Sequence, residues 1–254
     1  MSGCPAGVRA VGLPQHVHSM WYNFCQSRQH RHYLTITLSY SMTTLILIRH
    51  GHTDWADKKL AGWLPDVHLN ELGQKQAQEL VERLKPIELA AIYSSPLERT
   101  LETAQPIAKA RSLKITRVPN LGEVKYGDWQ GQALKVLSQK KEWKTVQATP
   151  STFAFPNGES FREMQSRAVA AVEKIVAAHE KDTVVLFSHG DVIKVIVAYY
   201  SGIALDNFQR IAISPASISV IAVGPFGARL GRLNDTGPFQ PLPDHQQPAK
   251  GKAK

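Results

Sequence analysis

The sequence predicts an α/β domain with a largely parallel central sheet. Short aliphatic or β-branched runs alternate with longer segments of helical period, which is typical of this class. A chain of 254 residues with 43% hydrophobic content can also bury one sizeable core. We therefore expect one folded domain over residues 42–237, between a flexible extension at 1–41 and a disordered tail at 238–254.

Five runs predict the strands of this sheet. Each contains five to seven residues with few charges, as expected for strands buried on both faces. In chain order they are TLILI (44–48), AAIYS (90–94), KITRV (114–118), TVVLF (183–187) and SISVIAV (217–223).

Four helices are predicted between and after these strands. The first spans about 70–85 and places Leu72, Leu80, Val81 and Leu84 on one apolar stripe. The second begins at a capping box of Ser95 and Glu98, with a proline at its first position and Arg99 in its second turn. A long helix covers about 159–180, and another runs from about 191 to the glycine at 202.

Charge and composition limit the classes of function. The two ends carry +3 and +2 of the +9 formal charge, so about +4 remains for residues 42–237, which suits a small anionic ligand without requiring nucleic acid. Cys4 and Cys25 both precede Met42, which is itself a candidate start of translation, so we expect a reducing cytoplasmic setting. No segment predicts a membrane span or a secretory signal.

Two strands end in the same way. Arg49, His50 and Gly51 follow the first aliphatic run, and Ser188, His189 and Gly190 follow the fourth. Open α/β sheets bind ligands at the carboxyl ends of their strands, so both imidazoles are expected at one edge. The glycines permit a tight turn and close approach of a ligand, and the helices beginning near 96 and 191 direct their N-termini to the same place. This combination predicts an anion site.

Taken together, these motifs resemble the histidine phosphatase superfamily, also called phosphoglycerate mutase-like. The resemblance rests on Arg49-His50-Gly51, Arg99 in SSPLERTLETA, Glu123 in LGEVKYGDWQG and His189 in FSHGD, and it extends over about residues 44–235. It implies a three-layer α/β/α sandwich in which His50 is the phosphoryl-accepting nucleophile and Glu123 the proton donor. It also implies that the phosphoryl group and substrate are held by Arg49, Arg99, His189, Thr53, Tyr126 and Gly190, with no metal and no cofactor.

Physical chemistry is compatible with these roles. A neutral imidazole can attack phosphorus if its other nitrogen is fixed by a hydrogen bond. Because phosphoryl transfer depends on positioning and on fixed positive charge, two guanidinium groups can replace a metal ion. A carboxyl group facing a phosphate in a partly buried site should have a raised pKa, which suits Glu123 to general acid and then general base catalysis.

Other interpretations remain open at this level. His50 and His52 form a His-x-His pair that could bind zinc, although this needs further ligands at other strand ends. His52 and Ala56 depart from the residues common at those family positions, and His52 is expected at the rim of the site. The four motifs could also belong to a noncatalytic module that binds a phospho-ligand or a protein.

Hydrolysis is favoured over phosphoryl transfer to a second substrate. Residues 118–161 contain no arginine, whereas a phosphoglycerate mutase usually needs an arginine pair there for its second anionic group. The insertion offers only Lys125, Lys135, Lys140, Lys141 and Lys144. The sequence thus predicts a metal-independent phosphomonoesterase acting on a small phosphorylated metabolite, with a phosphomutase as the alternative. The substrate, and whether the protein forms a homodimer, are left open.

Overall fold

A computed structural model describes residues 42–237. The predicted extension and tail, at 1–41 and 238–254, lie outside these described residues. Six strands form one sheet in the order β3-β2-β4-β1-β5-β6. Their bounds are β1 Thr43–Arg49, β2 Ala91–Ser94, β3 Ile115–Arg117, β4 Thr183–Ser188, β5 Ile218–Gly224 and β6 Gly227–Asp235. The first four strands are mutually parallel, and β5 is antiparallel to both of its neighbours.

Six α-helices accompany the sheet in the described region. They are α1 Glu71–Leu84, α2 Glu98–Arg111, α3 Leu134–Leu137, α4 Lys141–Ala148, α5 Phe161–Ala178 and α6 Gly190–Tyr200. The Asn70 side chain caps α1 by accepting a hydrogen bond from the Gly73 amide, and Ser160 and Glu163 form a capping box at the start of α5. Within residues 42–237, no helix is both long and apolar enough to cross a bilayer.

The alternation of side chains along β1 divides the interior into two cores. Leu45 and Leu47 pack on one face with residues of α5 and α6, and Ile46 and Ile48 pack on the other face with residues of α1 and α2. Because helices cover both faces of the sheet, all four β1 side chains are essentially inaccessible to solvent. The architecture is the predicted three-layer α/β/α sandwich.

Three details differ from the sequence-based expectation. Leu72 does not join the apolar stripe of α1, because it is 50% exposed and Gly73 and Ala77 face the core instead. The prediction of a capping box formed by Ser95 and Glu98 is wrong. Helix α2 begins at Glu98 with no side-chain cap, so Arg99 lies in its first turn and not in its second. Strand β6 was not predicted, because it pairs only with β5 and its residues are mostly exposed.

The register of β1 and β4 determines where the two His-Gly motifs lie. These strands are adjacent and parallel, and Arg49 is opposite Ser188. His50 and His189 therefore leave the sheet at the same level, and the His50 amide donates a hydrogen bond to the Ser188 carbonyl at 3.0 Å. The shared edge is the geometric basis of the site described below.

Candidate active site

His50 is held in one orientation and one tautomer. Its Nδ1 lies 2.7 Å from the carbonyl oxygen of Gly51. A carbonyl oxygen can only accept, so Nδ1 carries the proton and Nε2 keeps a free lone pair. The side chain is buried, and yet it lines a cavity.

Two glycines at the site have different structural roles. A Cβ at Gly51 would lie 2.7 Å from the carbonyl oxygen of Gly73, so this glycine lets helix α1 approach the chain closely. A Cβ at Gly190 would stand 3.5 Å from Nε of Arg49. Gly190 therefore leaves space over that guanidinium, whereas the space at Gly51 is filled by the protein itself rather than left for a ligand.

His189 lies beside His50 and is fully buried. The ring centroids are 5.3 Å apart, at an interplanar angle of 61°. Nε2 of His189 is 2.8 Å from Oγ of Ser95, and its Nδ1 is 3.8 Å from Oε2 of Glu123. The serine predicted to cap a helix thus positions this imidazole.

Each of two arginines in the site has one guanidinium nitrogen bonded to a backbone carbonyl and another nitrogen without a partner among the described residues. Nη1 of Arg49 donates to the carbonyl of Ile213 at 2.7 Å, and Nη2 of Arg99 donates to the carbonyl of Gly62 at 2.9 Å. Nε of Arg49, Nη1 of Arg99 and Nδ1 of His189 are buried without a hydrogen-bond partner among the described residues. With the Ser95 hydroxyl donating to Nε2 of His189, Nδ1 carries the proton and all three nitrogens are donors. Buried donors are normally paired, so these three indicate an acceptor-rich ligand.

The loop carrying Glu123 is fixed by a buried ion pair. Arg167 binds Glu159 through Nε and Nη2, at 2.8 and 2.5 Å. The same guanidinium donates to the backbone carbonyls of Asn120, Gly122 and Glu123. The indole of Trp63 also donates to the Glu123 carbonyl, at 2.6 Å. The backbone at Glu123 is therefore held by contacts from two other segments of the chain.

Burial shifts the pKa values of the ionisable groups in the directions that the predicted chemistry needs. Burial, and then the charge of Asp191, raise the pKa of Glu123 from 4.5 to about 7. Burial, followed by the charge of Arg99, lowers the pKa values of both His50 and His189 well below 6.5. Both imidazoles are neutral at pH 7, and Glu123 can exist in either protonation state.

One cavity of about 290 Å³ joins these groups. Its lining includes seven of the predicted site residues, namely Arg49, His50, Thr53, Arg99, Glu123, Tyr126 and Gly190. His189 is not part of the lining, but its Nδ1 lies 3.8 Å from Oε2 of Glu123, which is. The structure brings all of the predicted catalytic side chains together.

The sequence analysis missed two charged residues in this cavity. Asp191 and Lys194 line it from the first and second turns of α6, about one helical turn apart. The sequence did contain a usable signal: Asp191 and Lys194 are three residues apart at the start of the helix that follows His189, and residues i and i+3 share a helix face. The five insertion lysines do not line the cavity; Trp143 and Gln147 do so instead.

The structure also bears on the zinc interpretation. His52 does not line the cavity. Its Nδ1 lies 3.0 Å from Nδ2 of the Asn70 side chain. Across residues 42–237, no three His, Cys, Asp or Glu side chains are grouped so that they could hold a metal ion. The pair formed by His50 and His52 has no third ligand in this part of the chain.

Comparison with known proteins agrees with this arrangement. The chain is 32% identical over 182 residues to "Phosphoserine phosphatase 1" of Hydrogenobacter thermophilus, covering 71% of this chain and 86% of that protein. It is 30% identical over 181 residues to "Probable phosphoglycerate mutase GpmB" of Proteus mirabilis, covering 70% and 84%. The solved structure of Bacillus stearothermophilus YhfR is similar with a TM-score of 0.73 and 33% identity, covering 78% of this chain and all of that one.

The family profile described as "Histidine phosphatase superfamily (branch 1)" matches residues 45–236, which is nearly the whole described region. The two similar proteins and the similar structure each cover 70% to 78% of this chain. Phosphatase-named relatives and a mutase-named relative both occur among them, which fits an enzyme of phosphoryl transfer. The chain is therefore a member of the histidine phosphatase superfamily.

Proposed function

We propose that this enzyme hydrolyses a small phosphate monoester in two steps, through a phosphohistidine at Nε2 of His50. The observation that carries the proposal is the set of three buried, unpartnered donors in the same site as His50, on Arg49, Arg99 and His189. A phosphoryl group supplies the oxygens that could pair with all three. Their fixed orientation suits the charge that spreads over those oxygens in the transition state.

In the first step, Nε2 of His50 attacks phosphorus. The P–N bond forms as the ester P–O bond breaks, and protonated Glu123 gives its proton to the leaving oxygen. The Nδ1–H bond to the Gly51 carbonyl stabilises the positive charge that develops on the imidazole. The low pKa of His50 keeps the nucleophile neutral and ready before the substrate binds.

In the second step, ionised Glu123 takes a proton from water, and the water oxygen attacks the phosphohistidine. Inorganic phosphate leaves, His50 returns to its neutral form, and Glu123 regains the proton it lost. A pKa of about 7 lets the same carboxyl group act as acid and then as base near neutral pH. The two guanidinium groups supply the positive charge, so we expect activity to persist in excess chelator.

A phosphomutase is the second candidate, because relatives such as the Proteus mirabilis protein carry that name. A mutase must hold a second anionic group, and the insertion lysines suggested for this task do not line the cavity. Stimulation of isomerisation by a bisphosphorylated primer would support the mutase. Release of inorganic phosphate without a primer would support the hydrolase.

The proposal also includes a setting and an assembly. Residues 42–237 contain no cysteine, which suits a reducing compartment such as the cytoplasm. A homodimer is compatible with it and would be detected by light scattering during size-exclusion chromatography.

The direct test replaces the nucleophile. His50→Ala should lower the hydrolysis of p-nitrophenyl phosphate at least about 1000-fold, because the covalent route is lost. His52→Ala, two residues away and outside the cavity, is the matched control and should retain activity. Rapid quenching with a ³²P-labelled substrate should trap phosphohistidine in the unsubstituted enzyme.

Two results would contradict the proposal. Unchanged turnover by His50→Ala would refute the role of His50. Phosphate binding without turnover or a labelled intermediate would favour a noncatalytic binding module.

A further inference from the structure

One peptide group connects the proposed general acid to helix α5. This group joins Glu123 to Val124, and its N–H, on Val124, donates to Oε1 of the Glu123 carboxylate at 2.9 Å. Its carbonyl oxygen accepts from Nη2 of Arg167 on α5 at 2.9 Å and from Nε1 of Trp63 at 2.6 Å. Because a peptide group is planar, two donors that fix its carbonyl also fix the direction of its N–H. The orientation of this group therefore determines where Oε1 is held.

Arg167 is suited to this task because all five of its guanidinium N–H groups are bonded. Nε and one N–H of Nη2 bind the carboxylate of Glu159. The other three N–H groups donate to the backbone carbonyls of Asn120, Gly122 and Glu123. The guanidinium plane is therefore fixed, and these carbonyls are fixed with it. A lysine at this position would offer three donors on a single nitrogen and could not reproduce the fork.

The ion pair of Arg167 and Glu159 also holds the loop on the other side of this peptide group. Oε1 of Glu159 accepts from the Lys125 amide at 2.8 Å, and the Glu159 amide donates to the Lys125 carbonyl at 2.9 Å. The side chains of Arg167 and Glu159 are only 14% and 9% exposed, so water weakens their bonds little. Neither residue lines the cavity. Any effect of the pair on the reaction must therefore pass through the loop.

We propose that Arg167 is a positioning residue for proton transfer, because it orients the peptide group that holds the Glu123 carboxylate. This inference rests on the proposed phosphomonoesterase function. Since Oε1 accepts the bond from Val124, Oε2 is left to carry the proton given to the leaving oxygen, and it lies 3.8 Å from Nδ1 of His189. Two donors on the carbonyl also polarise the peptide group, which strengthens the bond made by its N–H. Arg167 thus acts on the general acid without touching the substrate.

Two aryl substrates with different leaving groups test the inference. Phenolate needs a proton as it leaves, whereas 2,4-dinitrophenolate is a stable anion that leaves without one, so only phenyl phosphate depends on the general acid. Because kcat/KM covers the steps up to departure of the leaving group, it isolates this proton transfer. Arg167→Lys, which keeps a positive charge beside Glu159, should lower kcat/KM for phenyl phosphate about 10- to 100-fold. The value for dinitrophenyl phosphate should stay within about 3-fold of that of the unsubstituted enzyme.

A second variant and a matched control accompany Arg167→Lys. Trp63→Phe keeps an aromatic ring but removes the other donor to the Glu123 carbonyl, so it should cause a smaller loss, about 3- to 10-fold, again for phenyl phosphate alone. Urea unfolding shows whether each variant folds, and Trp63→Phe decides the question if Arg167→Lys does not. Arg162→Lys is the control, because this exposed arginine of α5 donates to the carbonyl of Ser151, outside the cavity. It should leave both values unchanged.

The outcome distinguishes this inference from the proposed function. An equal loss for both substrates in either folded variant, or no loss for either substrate, would overturn the inference, because a merely structural role does not discriminate between leaving groups. Glu123→Gln should show the same selectivity as Arg167→Lys with a larger loss. If it does so while Arg167→Lys is unselective, the inference is wrong and the proposed function stands. If Glu123→Gln is itself unselective, Glu123 is not the general acid, and the inference fails together with the proposed mechanism.

Discussion

Replacing Glu123 with glutamine should stabilise the protein at high pH while impairing catalysis. The folded state keeps this carboxyl group protonated up to about pH 7, whereas the unfolded chain loses the proton near pH 4.5. Between these values the folded state binds more protons, so stability falls as the pH rises through this window. The difference in pKa corresponds to roughly 3 kcal/mol at pH 8. Glutamine resembles the protonated acid and avoids this loss.

The assay is urea unfolding of the unsubstituted protein and of Glu123→Gln at pH 5 and pH 8. At pH 5 only a small part of the loss has occurred, so the gain from Glu123→Gln should be roughly 2–3 kcal/mol larger at pH 8. Comparison of the two pH values cancels any packing effect of the substitution. Glu163→Gln, the same change at the capping box of α5, should show no such difference between the two pH values, because glutamine can still accept the hydrogen bonds from Ser160 and the lowered pKa of Glu163 keeps that carboxylate ionised at both.

A gain that is equal at pH 5 and pH 8 would refute the reasoning, because it would show that Glu123 has similar pKa values in the folded and unfolded states. Activity supplies the second readout. Glu123→Gln cannot donate its proton or activate water, so kcat should fall about 100- to 10,000-fold. Stability gained where activity is lost would identify Glu123 as a group whose position serves catalysis rather than folding.

Two further predictions concern the imidazoles. Burial and the two arginines lower the pKa of His50, so kcat/KM for p-nitrophenyl phosphate should begin to fall only well below pH 6.5 as the pH is lowered. A fall at or above pH 6.5 would contradict a neutral buried nucleophile. Ser95→Ala should lower kcat about 10- to 100-fold because it removes the hydrogen bond that holds Nε2 of His189. Ser94 donates only to a backbone carbonyl, so Ser94→Ala should leave kcat unchanged. Equal losses of kcat for both variants in steady-state assays would indicate a general packing effect.

Much of the site was predictable because strand ends are local features of the sequence. A buried aliphatic run followed by Arg49 and His50, and another followed by His189, each indicate a strand that ends in polar residues. Parallel strands place such ends at one edge, and the register of Arg49 opposite Ser188 brings them to the same level. The sequence could not indicate which strands are neighbours, but the expectation required only that the two share a sheet.

Other features depend on long-range contacts that periodicity does not reveal. Ser95 has the sequence context of a helix cap, yet its hydroxyl bonds His189, which is 94 residues away. Arg167 lies on a long amphipathic helix, and only the folded chain shows it holding the Glu123 loop. The lysines of the insertion do not line the cavity, whereas Trp143 on α4 does, and composition does not determine which of these side chains reaches it.

The unpaired donors explain how the site combines rigidity with affinity for a phosphoryl group. A buried donor without a partner costs about 1–3 kcal/mol, so a free side chain would rotate to find one. Arg49 and Arg99 cannot do so, because the other end of each guanidinium is bonded to a backbone carbonyl, at Ile213 and Gly62. Both donors therefore keep their orientation, and the oxygens of a phosphoryl group can accept from them. Since the positions of these donors are set by the fold before binding, they can favour the geometry of the transferring phosphoryl group over that of the bound ester.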